Sequence, residues 1–336
     1  MARGVSNFLS EVFLLDTYFE SGVLAGVPIS YLFFEGILVI LIMGIFGAGF
    51  FLLSRKFSRN FSRKIKIVCL LILSVLLCCL FWGSIIEPRR IVIRRFNIEN
   101  KKLPELKLLI ISDLHASIFK SKRFFSRVVK KINSEQDIDA VFILGDTVWG
   151  DSRKYLSLLQ DFSRISLKPK FVVLGNHDHF KDKKKNERQV KKIREFFESM
   201  GILELNNDAV LWREKNVNVV GVDDLFLGFD DLKKALGDIK NSNLPTIFLS
   251  HSPDIFAKFE KKDYPDLILS GHTHCGQVRF PIIGSVGSTL PIKYKKDIRK
   301  HWNKEKNLFV TCGLGEVGIR ARFLNPPEIV ILEINS

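Results

Sequence analysis

Five apolar runs of this 336-residue sequence end in side chains able to bind a cation or carry a proton. The run closing at Ser112 is followed by Asp113-Leu114-His115, that at Leu144 by Gly145-Asp146, and that at Leu174 by Gly175-Asn176-His177-Asp178. The run closing at Ser250 leads into His251-Ser252, and that at Ser270 into Gly271-His272-Thr273-His274. Five of the seven histidines stand at such ends, the edge at which α/β sheets bind ligands. Two residues apart on an extended segment, Asp113 and His115 should point the same way, as should His272 and His274. Taken singly the pieces are ordinary. Asp-x-His or Gly-Asp can cap a turn, Gly-Asn-His-Asp suits one because Gly and Asn accept positive φ, and a solitary histidine packs. Together, at successive strand ends, they exceed what packing accounts for. Two Asp, four His and one Asn amide are more ligands than one ion takes. If Asp146 bridges, they divide into two mixed N/O sites that suit Mn, Fe or Zn better than Ca or Mg.

The elements that would hold these residues are short. Besides the five runs, VNVVGV (217–222), LFVTC (308–312) and EIVILEI (328–334) read as strands, and amphipathic patterns at 122–133 and 187–200 read as helices. Continuous apolar runs of this length belong to strands covered on both faces. Two sheets packed face to face between helices would accommodate them, an α/β αββα sandwich over residues 97–336.

Residues 1–96 have a different character. The stretch 36–53 is uncharged, as is 67–86, and about 20 apolar residues cross a bilayer. Tyr31, Phe33, Phe34 and Trp82 lie where interfacial anchors sit. Acidic Glu11, Asp16 and Glu20 do not suit a signal-peptide n-region. An N-terminal transmembrane hairpin, spanning about 31–53 and 66–86, is expected. The connector 54–64 carries five basic residues and the outer flanks seven (Arg3, Arg89, Arg90, Arg94, Arg95, Lys101, Lys102). That narrow margin leans towards a cytoplasmic catalytic domain.

The order of motifs resembles the calcineurin-like metallophosphoesterases over about residues 105–335. The resemblance implies the four-layer αββα fold and a dinuclear site. In it Asp113, His115, Asp146 and His274 ligate one metal, and Asp146 (bridging), Asn176, His251 and His272 the other. His177 takes the place of a catalytic histidine that binds no metal, with Asp178 beside it. The implied reaction is metal-dependent hydrolysis of a phosphorus–oxygen bond, with manganese the first choice of metal. The segment Gly145-Asp146-Thr147-Val148-Trp149-Gly150-Asp151 lacks the Asp-Arg of the protein-phosphatase branch. The ending around Gly313-Leu314-Gly315, Arg320, Arg322-Phe323 and Pro326-Pro327-Glu328 is similar to the membrane-anchored bacterial branch, although Cys275 departs from that branch's glycine.

Within that branch the resemblance implies cleavage of UDP-2,3-diacylglucosamine, a nucleotide-linked glycolipid, to UMP and 2,3-diacylglucosamine 1-phosphate in lipid A biosynthesis. The setting would be the cytoplasmic face of a bacterial inner membrane, with the lipid bilayer as partner and no nucleic acid. The alternative is a membrane-anchored phosphodiesterase for another phospholipid or nucleotide diester. A nuclease would suit the net charge of +15, but two spans hinder access to nucleic acid, and an intact ligand set argues against a metal-free scaffold. Segment 118–125 (IFKSKRFF) mixes aromatic and basic residues and reads either as a membrane-facing surface or as a solvated helix face. The lysines Lys181, Lys183, Lys184 and Lys185 read as a phosphate attractor or a solvated loop, and His301 and Trp302 as part of a lid or of the core. Five cysteines, three of them in an apolar run, argue against a disulfide framework.

Overall fold

The computed structural model describes residues 23–24, 27–54, 62–180, 183–260, 264–281, 284–285 and 301–335. Lys181, most of the basic connector (55–61), most of the long loop (286–300) and the side chains of Tyr31, Phe33 and Phe34 lie outside the described residues.

Two long apolar helices open the described chain, α1 (Ile29–Leu53) and α2 (Arg63–Phe81). In both, the candidate membrane windows are almost wholly unburied by protein. Ile40, Met43, Phe46, Phe50, Leu71, Ile72 and Val75 all point outward. A helix apolar on every side with no protein around it needs lipid. These two helices can form the expected hairpin. A single π turn (Trp82–Ile86) and a 3₁₀ turn (Glu87–Arg89) then lead into the domain.

One sheet contains β1 (Val92–Glu99), β2 (Leu106–Ile111), β3 (Ala140–Leu144), β4 (Lys170–Val173), β5 (Leu203–Glu204) and β12 (Glu328–Asn335). Their spatial order is β1-β12-β2-β3-β4-β5, parallel from β2 to β5. The second contains β6 (Asp208–Trp212), β7 (Val217–Gly221), β8 (Thr246–Leu249), β9 (Leu267–Ser270), β10 (Trp302–Asn303) and β11 (Leu308–Val310). Its order is β10-β11-β9-β8-β7-β6, with β7, β8, β9 and β11 parallel. Every strand read from the sequence is present.

Leu108, Ile110, Phe142 and Val173 of the first sheet and Val219, Ile247, Leu249 and Leu269 of the second share one buried cluster, the inter-sheet core. The outer face of the first sheet is covered by α3 (Lys122–Asn133) and α4 (Lys183–Glu198). The other face of the second packs on α5 (Leu232–Gly237) and Ile255. Helix, sheet, sheet, helix is the αββα sandwich.

Two expectations change. The boundary at residue 96 cuts through β1, which pairs along its whole length with β12, from Val92 to Glu99. The catalytic domain therefore begins near Val92. Arg94 and Arg95 hid this strand, because an edge strand tolerates outward charge and Arg94 is spent on Glu328, at 2.9 Å. Segment 118–125 does not present all its residues outward: Phe124 and Phe125 are core residues of α3, and buried Lys120 pairs with Glu316 at 2.9 Å, while Ile118, Lys122 and Arg123 stay exposed.

Candidate metal centre

The parallel strands place their carboxyl ends along one edge, and the chain bends sharply there. Asp113, His115, Asp146, His272 and His274 all have φ between 43° and 67°. Left-handed backbone at non-glycine residues is uncommon and persists where surrounding contacts enforce it. The pairs Asp113/His115 and His272/His274 are thus not extended, contrary to the sequence expectation. Asp113 and His115 still converge, because their amides donate to the carbonyls of Gly145 and Asp146 at 3.0 and 2.9 Å. His272 and His274 diverge into different clusters.

Those clusters are Asp113, His115 and His274 on one side, and Asp146, His251 and His272 on the other; in each the candidate ligand atoms lie within 4.8 Å of one another. In the first, His115 Nε2 faces His274 Nε2 at 3.2 Å, and Asp113 Oδ1 is 3.3 Å from His274 Nε2. In the second, His272 Nδ1 faces His251 Nε2 at 3.1 Å. Asp146 Oδ2 lies between, 3.1 Å from His251 Nε2 and 3.5 Å from His115 Nε2. Nearby, the buried Asn176 Oδ1 has no hydrogen-bond donor.

The charge balance of this cage calls for cations. Burial pushes Asp113 up to about 6, and burial holds His115 and His274 well below the usual imidazole range and His272 at about 3. Burial alone would lower His251 too, but the Asp146 carboxylate carries it up to about 10. The neutral imidazoles of His115 and His274 face one another at 3.2 Å, and the orphaned Asn176 amide oxygen adds a further acceptor. Divalent ions are the group that such a donor set fits. The carbonyl of Leu144 lies 2.7 Å from His251 Nδ1. That bond fixes the ring and leaves Nε2 for a metal, a familiar outer-sphere role.

His177 stacks on Trp149 with ring centroids 4.6 Å apart and stands 5.1 Å from the His115 ring. Its backbone N–H donates to Asp146 Oδ1 at 2.9 Å. Asp178, expected beside it in catalysis, has a different task. Its Oδ1 accepts from Thr147 N, Thr147 Oγ1 and Val148 N at 2.8, 2.6 and 3.0 Å, and its Oδ2 from Gly175 N at 3.0 Å. Four donors bind this carboxylate to the Asp146 and Asn176 loops, the geometry of a positioning group, while burial and the nearby Asp146 push its pKa up.

The calcineurin-like phosphoesterase family profile matches residues 106–276, which hold every residue of both clusters. This chain belongs to that family. It is therefore a phosphoester hydrolase of a kind that uses divalent metals. It is 32% identical over 235 residues to the phosphodiesterase YaeI of Escherichia coli, covering 68% of this chain and 82% of that one. An uncharacterized metallophosphoesterase of Helicobacter pylori is 29% identical over 310 residues, or 90% of this chain and 80% of that one. A transmembrane protein with a metallophosphoesterase domain from Danio rerio is 28% identical over 353 residues, 96% of this chain and 76% of that protein. With the two unburied apolar helices, this last likeness supports association with a membrane.

The tasks of several residues around the site were not readable from the sequence. Arg322, fully buried, donates to the carbonyls of Cys312, Gly313 and Gly315 at 3.0, 3.2 and 2.5 Å. His179 Nε2 bonds Asp223 Oδ1 at 2.7 Å, which holds its pKa above the usual range against the opposing effect of burial. Cys275, next to His274, forms a disulfide with Cys312, which corrects the expectation from cysteine count. The two cysteines are 37 residues apart in sequence, on separate loops, so spacing gave no signal. His301 packs on Phe96, ring centroids 4.6 Å apart, and bonds Glu328 at 3.1 Å. It braces the domain, as the packing alternative expected.

Proposed function

We propose that this chain is a membrane-anchored phosphodiesterase using two divalent cations, Mn²⁺ first among them, held by Asp113, His115, Asp146, Asn176, His251, His272 and His274. The observation that carries this reading is Asp146 Oδ2, which lies 3.1 Å from His251 Nε2 and 3.5 Å from His115 Nε2. An oxygen set between two clusters is what a bridging ligand requires. The bound cations would supply a hydroxide at neutral pH and a clamp on phosphoryl oxygens. The chain's own residues then orient and protonate. Asp146 joins the two halves, Asp178 fixes the loop of Asn176 and His177, and His177 gives a proton to the leaving oxygen.

The substrate class follows from the anchor: an amphiphilic phosphodiester that stays in the bilayer while its headgroup enters the cage. The name of YaeI supports diester chemistry. The narrower candidate is UDP-2,3-diacylglucosamine, cleaved to UMP and 2,3-diacylglucosamine 1-phosphate. It belongs with a cytoplasmic domain at a bacterial inner membrane, the side favoured by the charge count. The Cys275–Cys312 disulfide supports the opposite face, because disulfides persist in oxidising compartments. A phospholipid diester would be the substrate there.

The test uses the full chain in nanodiscs, stripped of metal and reloaded with Mn²⁺. Metal-dependent hydrolysis of a generic diester supports the core reading, and its absence at full metal loading refutes it. UMP release from UDP-2,3-diacylglucosamine selects the narrower substrate. Diester turnover without UMP selects the phospholipid reading, and protease accessibility in sealed vesicles assigns the face.

A further inference from the structure

The second membrane span does not end in a free linker. Where α2 gives way to the π turn, Gly83 O accepts from Arg322 N at 2.8 Å, and Gly83 packs so closely that an added Cβ would lie 3.2 Å from Arg322 O. Four residues on, Glu87 is 2% exposed although it is charged and sits at the mouth of a membrane helix. Both its oxygens are engaged. Oε2 accepts from Trp82 Nε1 at 2.6 Å, and Oε1 from the backbone N–H of Asn325 at 2.5 Å. The Asn325 side chain in turn donates from Nδ2 to the carbonyl of His274 at 2.7 Å. Arg322 closes the path, donating to Asn325 O at 3.1 Å.

The geometry points to Glu87 as a positioning residue that couples the membrane span to the first metal cluster through Asn325 and the His274 backbone. His274 is where such a hold is needed. Its φ is +47°, and the residue after it, Cys275, has φ +48°. Two consecutive left-handed residues are costly unless fixed from outside. Asn325 supplies that hold on the His274 carbonyl, and Glu87 orients Asn325. Leu324, at φ +52°, shows that this loop too is bent to reach. A buried carboxylate is expensive unless fully bonded, so its place at the span exit calls for a specific reason. A simple tether would end in a solvated linker. Here the anchor is part of the active-site scaffold, and metal affinity depends on the seating of α2.

This inference rests on the metal-binding reading of the site, and the experiment separates the two. Full-length wild type, Glu87→Gln, Asn325→Asp and the double variant are purified in nanodiscs, and Mn²⁺ is titrated by calorimetry on metal-free protein. Glu87→Gln nearly preserves shape but sets an amide N–H against the Trp82 N–H. Asn325→Asp removes the donor to His274. Each is expected to weaken the tighter Mn²⁺ step about tenfold and to lower kcat with KM unchanged, while the thermal midpoint of the metal-free protein stays near wild type. The double variant should bind no worse than the weaker single one, because both act on one path. Multiplying effects, or wild-type affinity in Glu87→Gln, would overturn the relay. A variant whose metal-free midpoint collapses is replaced by Trp82→Phe, which removes only the outermost bond and should give a smaller loss of the same kind; no loss there also overturns it. A wild type that binds no Mn²⁺ refutes the metal-centre reading itself.

Discussion

Gly175 offers the sharpest single perturbation of the cage. It precedes Asn176 and lies under Asp146 and His251. A Cβ built there would be 2.7 Å from the Asp146 backbone nitrogen and 2.7 Å from His251 Cδ2, where real contacts keep to 3.0–3.4 Å or more. The backbone itself does not resist substitution, since its φ of −120° and ψ of 177° are extended and open to any residue. Gly175→Ala should therefore fold, and its cost falls on the neighbours. Restoring contact distances requires shifts of roughly 0.3–1.0 Å, the largest for Asp146 Oδ1, which the added Cβ approaches to 2.4 Å, and all exceed the ~0.2 Å tolerance of a metal–ligand bond. Misplacement by about 1 Å costs on the order of 10²-fold in rate, so a 10- to 100-fold loss of turnover is expected. Occupancy of the second site should fall with it. The control is Gly237→Ala, where an added methyl meets nothing within 4 Å. Metal content by plasma emission and diester turnover in nanodiscs are the assays. Gly175→Ala with two tightly held ions and wild-type kcat would refute the steric argument.

Other outcomes follow from the same geometry. His177→Ala should retain its metals and lose on the order of 10²–10⁴ in kcat; normal turnover in a fully loaded variant removes the proton-transfer role. The raised pKa of His179, caused by Asp223 against the pull of burial, makes this pair's contribution to stability complete below the unfolded value of about 6.5. It is lost as pH rises through the folded value. The stability gap between wild type and His179→Asn should therefore narrow as pH rises above about 6.5 in denaturant titrations; a gap that widens contradicts the pairing. The Cys275–Cys312 bridge closes a separation of 37 residues, a chain-entropy contribution of about 3–4 kcal/mol. Reduction should lower the thermal midpoint and free two thiols, in addition to Cys69, Cys78 and Cys79, for alkylation in denaturant, because Cys275 and Cys312 are buried; an unchanged midpoint with both thiols labelled would show the bridge to be dispensable.

The amino-acid order alone determined the family chemistry. Strands buried on both faces leave apolar runs that can be read without coordinates, and parallel strands deliver whatever follows them to one edge. The histidines, aspartates and asparagine that the structure gathers were legible for that reason, as were the two long apolar helices. Where one residue serves two layers of contact, linear reading failed. Arg94 and Arg95 concealed an edge strand, Phe124 and Phe125 looked like a surface and are core, and Asp178 sits in a catalytic motif but binds four donors. The division of the ligands between the two clusters was already implied by the family resemblance and recurs in the structure; tertiary structure alone decided the meeting of Cys275 with Cys312 and the path from Glu87 to His274. The physical reason is range: strand burial is a local pattern of side chains, whereas Glu87 and Asn325, 238 residues apart, become neighbours only when loops from both sheets close over the end of the membrane helix.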